Sequence, residues 1–197
     1  MLFRLILPLL FFSTAALAEC PKSLSEESGL ILTRNTPFFS SLYTQTQEGV
    51  REQRILVRSG KPENVSTYYP HPLAVGKRIG SNGTLHLKYS RATDSINDLP
   101  KTKDWKADVI LQSNGKQIGT GSSTLSFKGH GQESIGDCQY RVWVIDSRLN
   151  LKGQPPISFM KYYSPELNLV LRSVKMDPSG KALSQVHFDL IEIKEQI

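Results

Sequence analysis

From Gly29 onward the chain alternates apolar and polar residues, the period of two that marks half-buried strands. Trp105, Ala107, Val109 and Leu111 fall on one face, with Lys106, Asp108 and Gln112 on the other. Leu85, Leu87 and Tyr89 oppose Thr84, His86 and Lys88, and Leu125 and Phe127 oppose Ser126, Lys128 and His130. Cys138, Tyr140, Val142 and Val144 share a face opposite Gln139 and Arg141, and Val186, Phe188 and Leu190 oppose Gln185, His187 and Asp189. Turn chemistry separates these runs. Gln47-Glu48-Gly49 parts residues 38–46 from 50–59, Ser113-Asn114-Gly115 ends another strand, and Asp177-Pro178-Ser179-Gly180 breaks the final pair. Residues 91–103, with Pro100, and residues 150–156 read as long loops, and Gly119 to Ser123 reads as a short Gly/Ser link. A short N-terminal helix is expected over residues 21–28, and no later stretch keeps a helical period for three turns. The pattern predicts an all-β or strongly β-rich fold, a single antiparallel sheet of about eight to ten strands forming an open or half barrel.

The first eighteen residues change the picture, because they are not part of that pattern. Met1-Leu2-Phe3-Arg4 carries one positive charge, residues 5–12 are uninterruptedly apolar, and Ala16-Leu17-Ala18 has the small-x-small form that a signal peptidase recognises. The apolar run is shorter than the roughly twenty residues a spanning helix needs. The expectation is a signal peptide at 1–18, cleaved before Glu19, and one exported β-rich domain at 19–197, soluble in the periplasm or secreted from a bacterium.

Export gives the two cysteines their meaning, since disulfides persist outside the cytoplasm. A Cys20–Cys138 bridge is the leading expectation. The alternatives are a lipidated Cys20, disfavoured because Glu19 stands where lipoprotein signals carry a small residue, and two free or intermolecularly paired cysteines. The chain has 24 Lys and Arg against 18 Asp and Glu, a formal charge of +6. Such a surplus favours attraction to anionic surfaces, whether lipid headgroups or acidic polysaccharides. The cations are scattered without a run of five, and export separates the protein from nucleic acid, so nucleic acid is not expected as a partner.

Candidate chemistry is sparse. His86, His130 and His187 lie on the polar faces of three expected strands, and neighbouring strands would bring them together as a three-histidine zinc site. No two have ligand-like spacing and no carboxylate is placed to orient them, so they are expected to be solvated and no cofactor is expected. His71, between two prolines, reads as the start of a strand. No Gly-x-Ser-x-Gly elbow occurs, Cys138 sits on an apolar face where a thiol is structural, and the Gly/Ser run at 119–123 lacks the helix a phosphate cradle needs. The sequons at Asn64 and Asn82 are read as chance.

Two segments carry a resemblance. His71-Pro72-Leu73-Ala74-Val75-Gly76-Lys77 and Tyr162-Tyr163-Ser164-Pro165-Glu166-Leu167-Asn168-Leu169-Val170 resemble the Pro-Leu-x-x-Gly-Lys segment and the Tyr-Ser-Pro-Glu-Leu-Gly-Leu-Val run of the TapB-like family of exported bacterial envelope proteins of unknown function. The chain departs at Asn168, where that family has glycine. Asn tolerates the left-handed conformation next best, so the turn is expected to survive. The resemblance spans roughly residues 68–192 and implies an exported half-barrel without catalytic residues. Tyr68, Tyr69, Tyr162 and Tyr163 fit core packing, and an open barrel also exposes part of its concave face, which makes them the candidate ligand contacts. The resulting expectation is a non-catalytic envelope protein binding a lipid, an anionic envelope polymer or another envelope protein. The alternatives are a secreted metal-dependent hydrolase built on the three histidines and a structural subunit of an envelope complex.

Overall fold

The computed structural model describes residues 19–58 and 60–195. The expected signal peptide lies outside them. Thirteen strands follow one another: β1 (Ser28–Arg34), β2 (Phe39–Thr46), β3 (Gly49–Arg58), β4 (Lys61–Tyr69), β5 (Lys77–Gly80), β6 (Gly83–Tyr89), β7 (Asp104–Ser113), β8 (Lys116–Ile135), β9 (Cys138–Leu151), β10 (Ile157–Ser164), β11 (Leu169–Met176), β12 (Ala182–His187) and β13 (Leu190–Glu195). They form one sheet in the order β12-β11-β10-β9-β8-β7-β6-β5-β4-β3-β2-β1-β13, antiparallel at every pairing. The fold class expected from alternation holds. The sheet stays open because β12 and β13, consecutive in the chain, are its two edges and do not pair.

The local expectations hold where turn residues set them. The breaks at 47–48, 114–115 and 177–181 join adjacent antiparallel strands. Asn168 takes φ 52°, the left-handed value its position between β10 and β11 requires. Other expectations fail. The strand count exceeds the eight to ten anticipated. Residues 21–27 form no helix, and the segment instead runs into β1. Residues 91–103 are not an irregular loop: they contain a 3-10 turn (Thr93–Asp98) and a one-turn helix α1 (Leu99–Thr102). Pro100 sits in the first turn of α1, where its missing N–H costs nothing. Leu85, on the apolar side of its alternating run, is exposed.

The Gly/Ser run at 119–123 lies inside β8, paired with β7 on one side and, from Gly121 on, with β9 on the other. Gly121 is there for proximity: a Cβ would stand 1.9 Å from the Asn150 carbonyl oxygen.

Two cores form, one on each face of the sheet. The first gathers Leu30, Leu32, Phe39, Tyr43, Val50, Tyr140, Val142, Leu169, Leu171 and Phe188. The second gathers Ile96, Leu99, Trp105, Ala107, Leu125, Ile145 and Tyr163. Along β9 the buried positions change parity, from Tyr140 and Val142 to Ile145 and Ser147. The register with β8 shifts between Phe127 and Gly129, opposite that change. β9 is continuous, so Val142 and Ile145 point to opposite faces and the two cores pack on opposite sides of the sheet; the extra residue on β8 lets Leu125 and Ile135, of equal parity, follow them to different cores. The turn and helix at 93–102 then cap the second core through Ile96 and Leu99.

Candidate functional site

An open groove of about 810 Å³ runs along β4, β5 and β6 and reaches Thr93 at the start of the 93–98 turn. Register builds it. Arg51 pairs with Tyr68, Tyr68 with Lys77, and Lys77 with His86 across β3, β4, β5 and β6. Directly paired residues project to the same side of a sheet at a spacing of about 5 Å, so the four make one row across the strands. The Arg51 guanidinium lies 5.7 Å from the Tyr68 ring. Lys88 and Arg91 join the same lining, which contains a single carboxylate, Glu48.

Lys77, Lys88 and Arg91 are exposed and form no ion pair among the described residues. His86 registers their field: its pKa is lowered by burial and then by Lys88 and Lys77. The groove is therefore positive and aromatic, with Tyr68, Tyr69 and Tyr89 among its walls.

The connection from β4 to β5 fixes its shape. Gly76 N–H donates to the Tyr68 carbonyl, Tyr89 Oη donates to the Val75 carbonyl at 2.9 Å, and the Leu73 N–H donates to His71 Nδ1 at 3.1 Å. A Cβ at Gly76 would meet the Pro70 ring at 2.8 Å. His71, expected to start a strand, instead forms an isolated bridge with Ala74 and is buried, which lowers its pKa to about 4. Thr46, Glu48, Pro70 and Thr93 are shared with a second hollow of about 560 Å³, whose walls include Gln45, Gln47, Asn97 and Asn168.

Behind the groove, the inward side of β3 carries charge. Glu52 is 1% exposed and accepts hydrogen bonds from Ser41 Oγ (2.7 Å), Tyr43 Oη (3.1 Å), Arg54 Nε (2.7 Å) and Tyr69 Oη (2.7 Å). A buried carboxylate is tolerable when paired and fully hydrogen-bonded, and here it is both. Burial, and then the Glu52 charge, pushes the Tyr69 hydroxyl well above its ordinary pKa, so Tyr69 remains a donor. Tyr69 is thereby held as the wall between the groove and a half-open cavity of about 280 Å³.

The structure separates the four candidate tyrosines. Tyr68 lies in the groove and Tyr69 in the wall. Tyr162 packs against the first core beneath the Arg172 guanidinium, 4.7 Å from its ring. Tyr163 is buried in the second core. Alternation alone sends neighbours in each pair to opposite faces. His86, His130 and His187 lie on β6, β8 and β12, with other strands between them, and no group of three or more metal-ligating side chains occurs among the described residues. Cys20 and Cys138 form the expected disulfide. Sequence reasoning missed Lys77, Lys88, Arg91, Glu52 and Arg54. The groove cations were findable only with the register of β5, a four-residue strand, in hand.

Lys161 on the cavity wall gives a stability prediction. Burial lowers its pKa to about 8 from 10.5. Below pH 8 the amine is charged in both folded and unfolded chains, so the full cost of burying that charge is present. Between pH 8 and 10.5 the unfolded chain binds more protons and stability rises. Lys161→Met should therefore stabilise the protein at pH 7 by on the order of 2–3 kcal/mol, an advantage that shrinks toward pH 10.5. Urea unfolding of both proteins at pH 7 and pH 10 measures the difference.

No family model matches the chain, and no curated protein matches it. The resemblance to the TapB-like family accordingly rests on the two short segments alone. Among solved structures, the hypothetical lipoprotein YmcC from Escherichia coli is 16% identical, with a TM-score of 0.45, over 85% of this chain and 82% of that one. A likeness of that size carries nothing about ligand or mechanism.

Proposed function

We propose that the protein is a non-catalytic component of the bacterial cell envelope that holds an anionic envelope polymer in the groove of β4, β5 and β6. One observation carries this reading: Lys77, Lys88 and Arg91 converge on an aromatic-walled groove without a paired carboxylate. Cations left unpaired beside tyrosine rings suit a chain of acidic sugars, whose carboxylates meet the lysines while the sugar faces lie on Tyr68 and Tyr89. The adjoining carboxamides of Gln47 and Asn97 suit the hydroxyls of the same chain. The disulfide and the export segment support a periplasmic setting. No helix among the described residues is long and apolar enough to cross a membrane.

The test is calorimetric titration with an oligomer of galacturonic acid and with its uncharged galactose counterpart. The acidic oligomer should bind and weaken as salt rises, and the neutral one should not. The triple variant Lys77→Gln, Lys88→Gln, Arg91→Gln removes three exposed charges worth about 0.5–1 kcal/mol each, so affinity should fall at least tenfold. Equal binding of both oligomers, or a triple variant that binds like the wild type, sinks the proposal.

A further inference from the structure

A half-open cavity of about 280 Å³ lies on the other side of Tyr69 from the groove. Most of its lining is apolar, with Phe159, Val186 and Phe188 among the walls. Two cations also line it, Arg54 and Lys161. They differ in one respect. Arg54 is neutralised by Glu52, through Nε at 2.7 Å and a second guanidinium nitrogen. Lys161 donates to the Leu73 carbonyl at 3.0 Å and has no carboxylate partner among the described residues. An ammonium group has three donors, so two are left over for a ligand.

Taken with the apolar walls, this leaves the cavity one positive charge in excess at a single point. We infer that the cavity is a binding site for a small acidic amphiphile, whose carboxylate pairs with Lys161 and whose alkyl chain lies along Phe159, Val186 and Phe188. A neutral chain would leave the Lys161 charge uncompensated, and a cationic one would add repulsion from it. A cavity of about 280 Å³ is small enough to favour a single medium-length alkyl chain over a full-length lipid tail pair. The other polar side chains of the lining are Arg54, Tyr43, Tyr69 and Ser173, and no carboxylate is among them. The remaining charged residue of the network, Glu52, is already satisfied by four donors. The low pKa of Lys161 agrees with an amine that lacks a counterion, and at neutral pH it is still mostly protonated.

The site is independent of the groove, and the experiment keeps the two apart. Decanoate, decanol and decyltrimethylammonium are titrated into the mature protein at pH 7 and followed by native mass spectrometry and calorimetry. Decanoate should bind at least tenfold more tightly than decanol, and the ammonium compound should not bind. Lys161→Met, which keeps the cavity and removes its charge, should abolish the preference for decanoate over decanol. Val186→Trp, on an edge strand and filling the cavity, should abolish binding of both. The triple groove variant Lys77→Gln, Lys88→Gln, Arg91→Gln should bind decanoate like the wild type. Undiminished decanoate binding in Lys161→Met or in Val186→Trp overturns the inference, as does loss of binding in the groove variant or no binding to the wild type.

Discussion

Replacing Tyr163 with alanine should lower the unfolding free energy by about 3–5 kcal/mol, the usual cost of deleting a fully buried aromatic ring. The ring is 2% exposed and stands between two others, with centroids 5.3 Å from Trp143 and 5.4 Å from His71. Its hydroxyl donates to Asn168 Oδ1 at 2.9 Å, and burial raises its pKa to about 12. The substitution therefore removes packing from the second core and a restraint on the left-handed residue of the β10–β11 turn at once. Tyr162→Ala offers the comparison. That ring is partly exposed and chiefly covers the Arg172 guanidinium, so about 1–2 kcal/mol is expected. Urea unfolding of the two variants measures the gap, and equal losses would contradict the assignment of these neighbours to different environments.

Breaking the disulfide should cost a comparable amount. Cys20 and Cys138 lie 118 residues apart in sequence, with Cα atoms 5.6 Å apart. In the chain-entropy account a loop of that size stabilises by up to about 4–5 kcal/mol, and removal of native bridges from small exported domains costs about 2–5 kcal/mol. The bridge does a second thing here. Residues 21–27 have no regular structure, and the bond fastens them at Cys138, the first residue of β9 and a contact of the first core. Cys138→Ser should lower stability by about 2–5 kcal/mol and expose residues 19–27 to protease, whereas the oxidised wild type should resist cleavage there. Thermal melts with limited proteolysis read both effects. A Cys138→Ser protein as stable and as resistant as the wild type would show that the bridge constrains nothing.

Strand chemistry was legible in the sequence wherever one face is apolar and the other polar. Trp105, Ala107 and Val109 alternate cleanly, and they are buried as the alternation requires. β3 shows why the candidate site was harder. Its inward residues are Val50, Glu52, Arg54 and Leu56, while Ile55 and Val57 on the outward side are 49% and 57% exposed. Each face mixes apolar with charged residues, so period alone does not say which face is inside. The answer depends on Ser41, Tyr43 and Tyr69, which reach Glu52 from two other strands.

The same limit applies to β8, where Leu125 and Ile135 have equal parity yet join different cores because an extra residue lies between them. It applies again to the short helix at 99–102, which exists because Ile96 and Leu99 cap the second core rather than through any helical period. Pairs of adjacent tyrosines read in sequence as candidate contacts, but adjacency in a strand separates side chains. The groove instead joins Tyr68 to Lys77 and His86, residues nine positions or more apart that only register brings side by side.

Hydrogen exchange with and without the galacturonic acid oligomer tests the central claim most directly, because it locates the polymer on the protein. Protection is expected at Tyr68, Lys77, His86 and the 91–93 segment, with the outer edges β12 and β13 unchanged. Protection confined to those edges, or an unchanged groove in the presence of saturating oligomer, would contradict it.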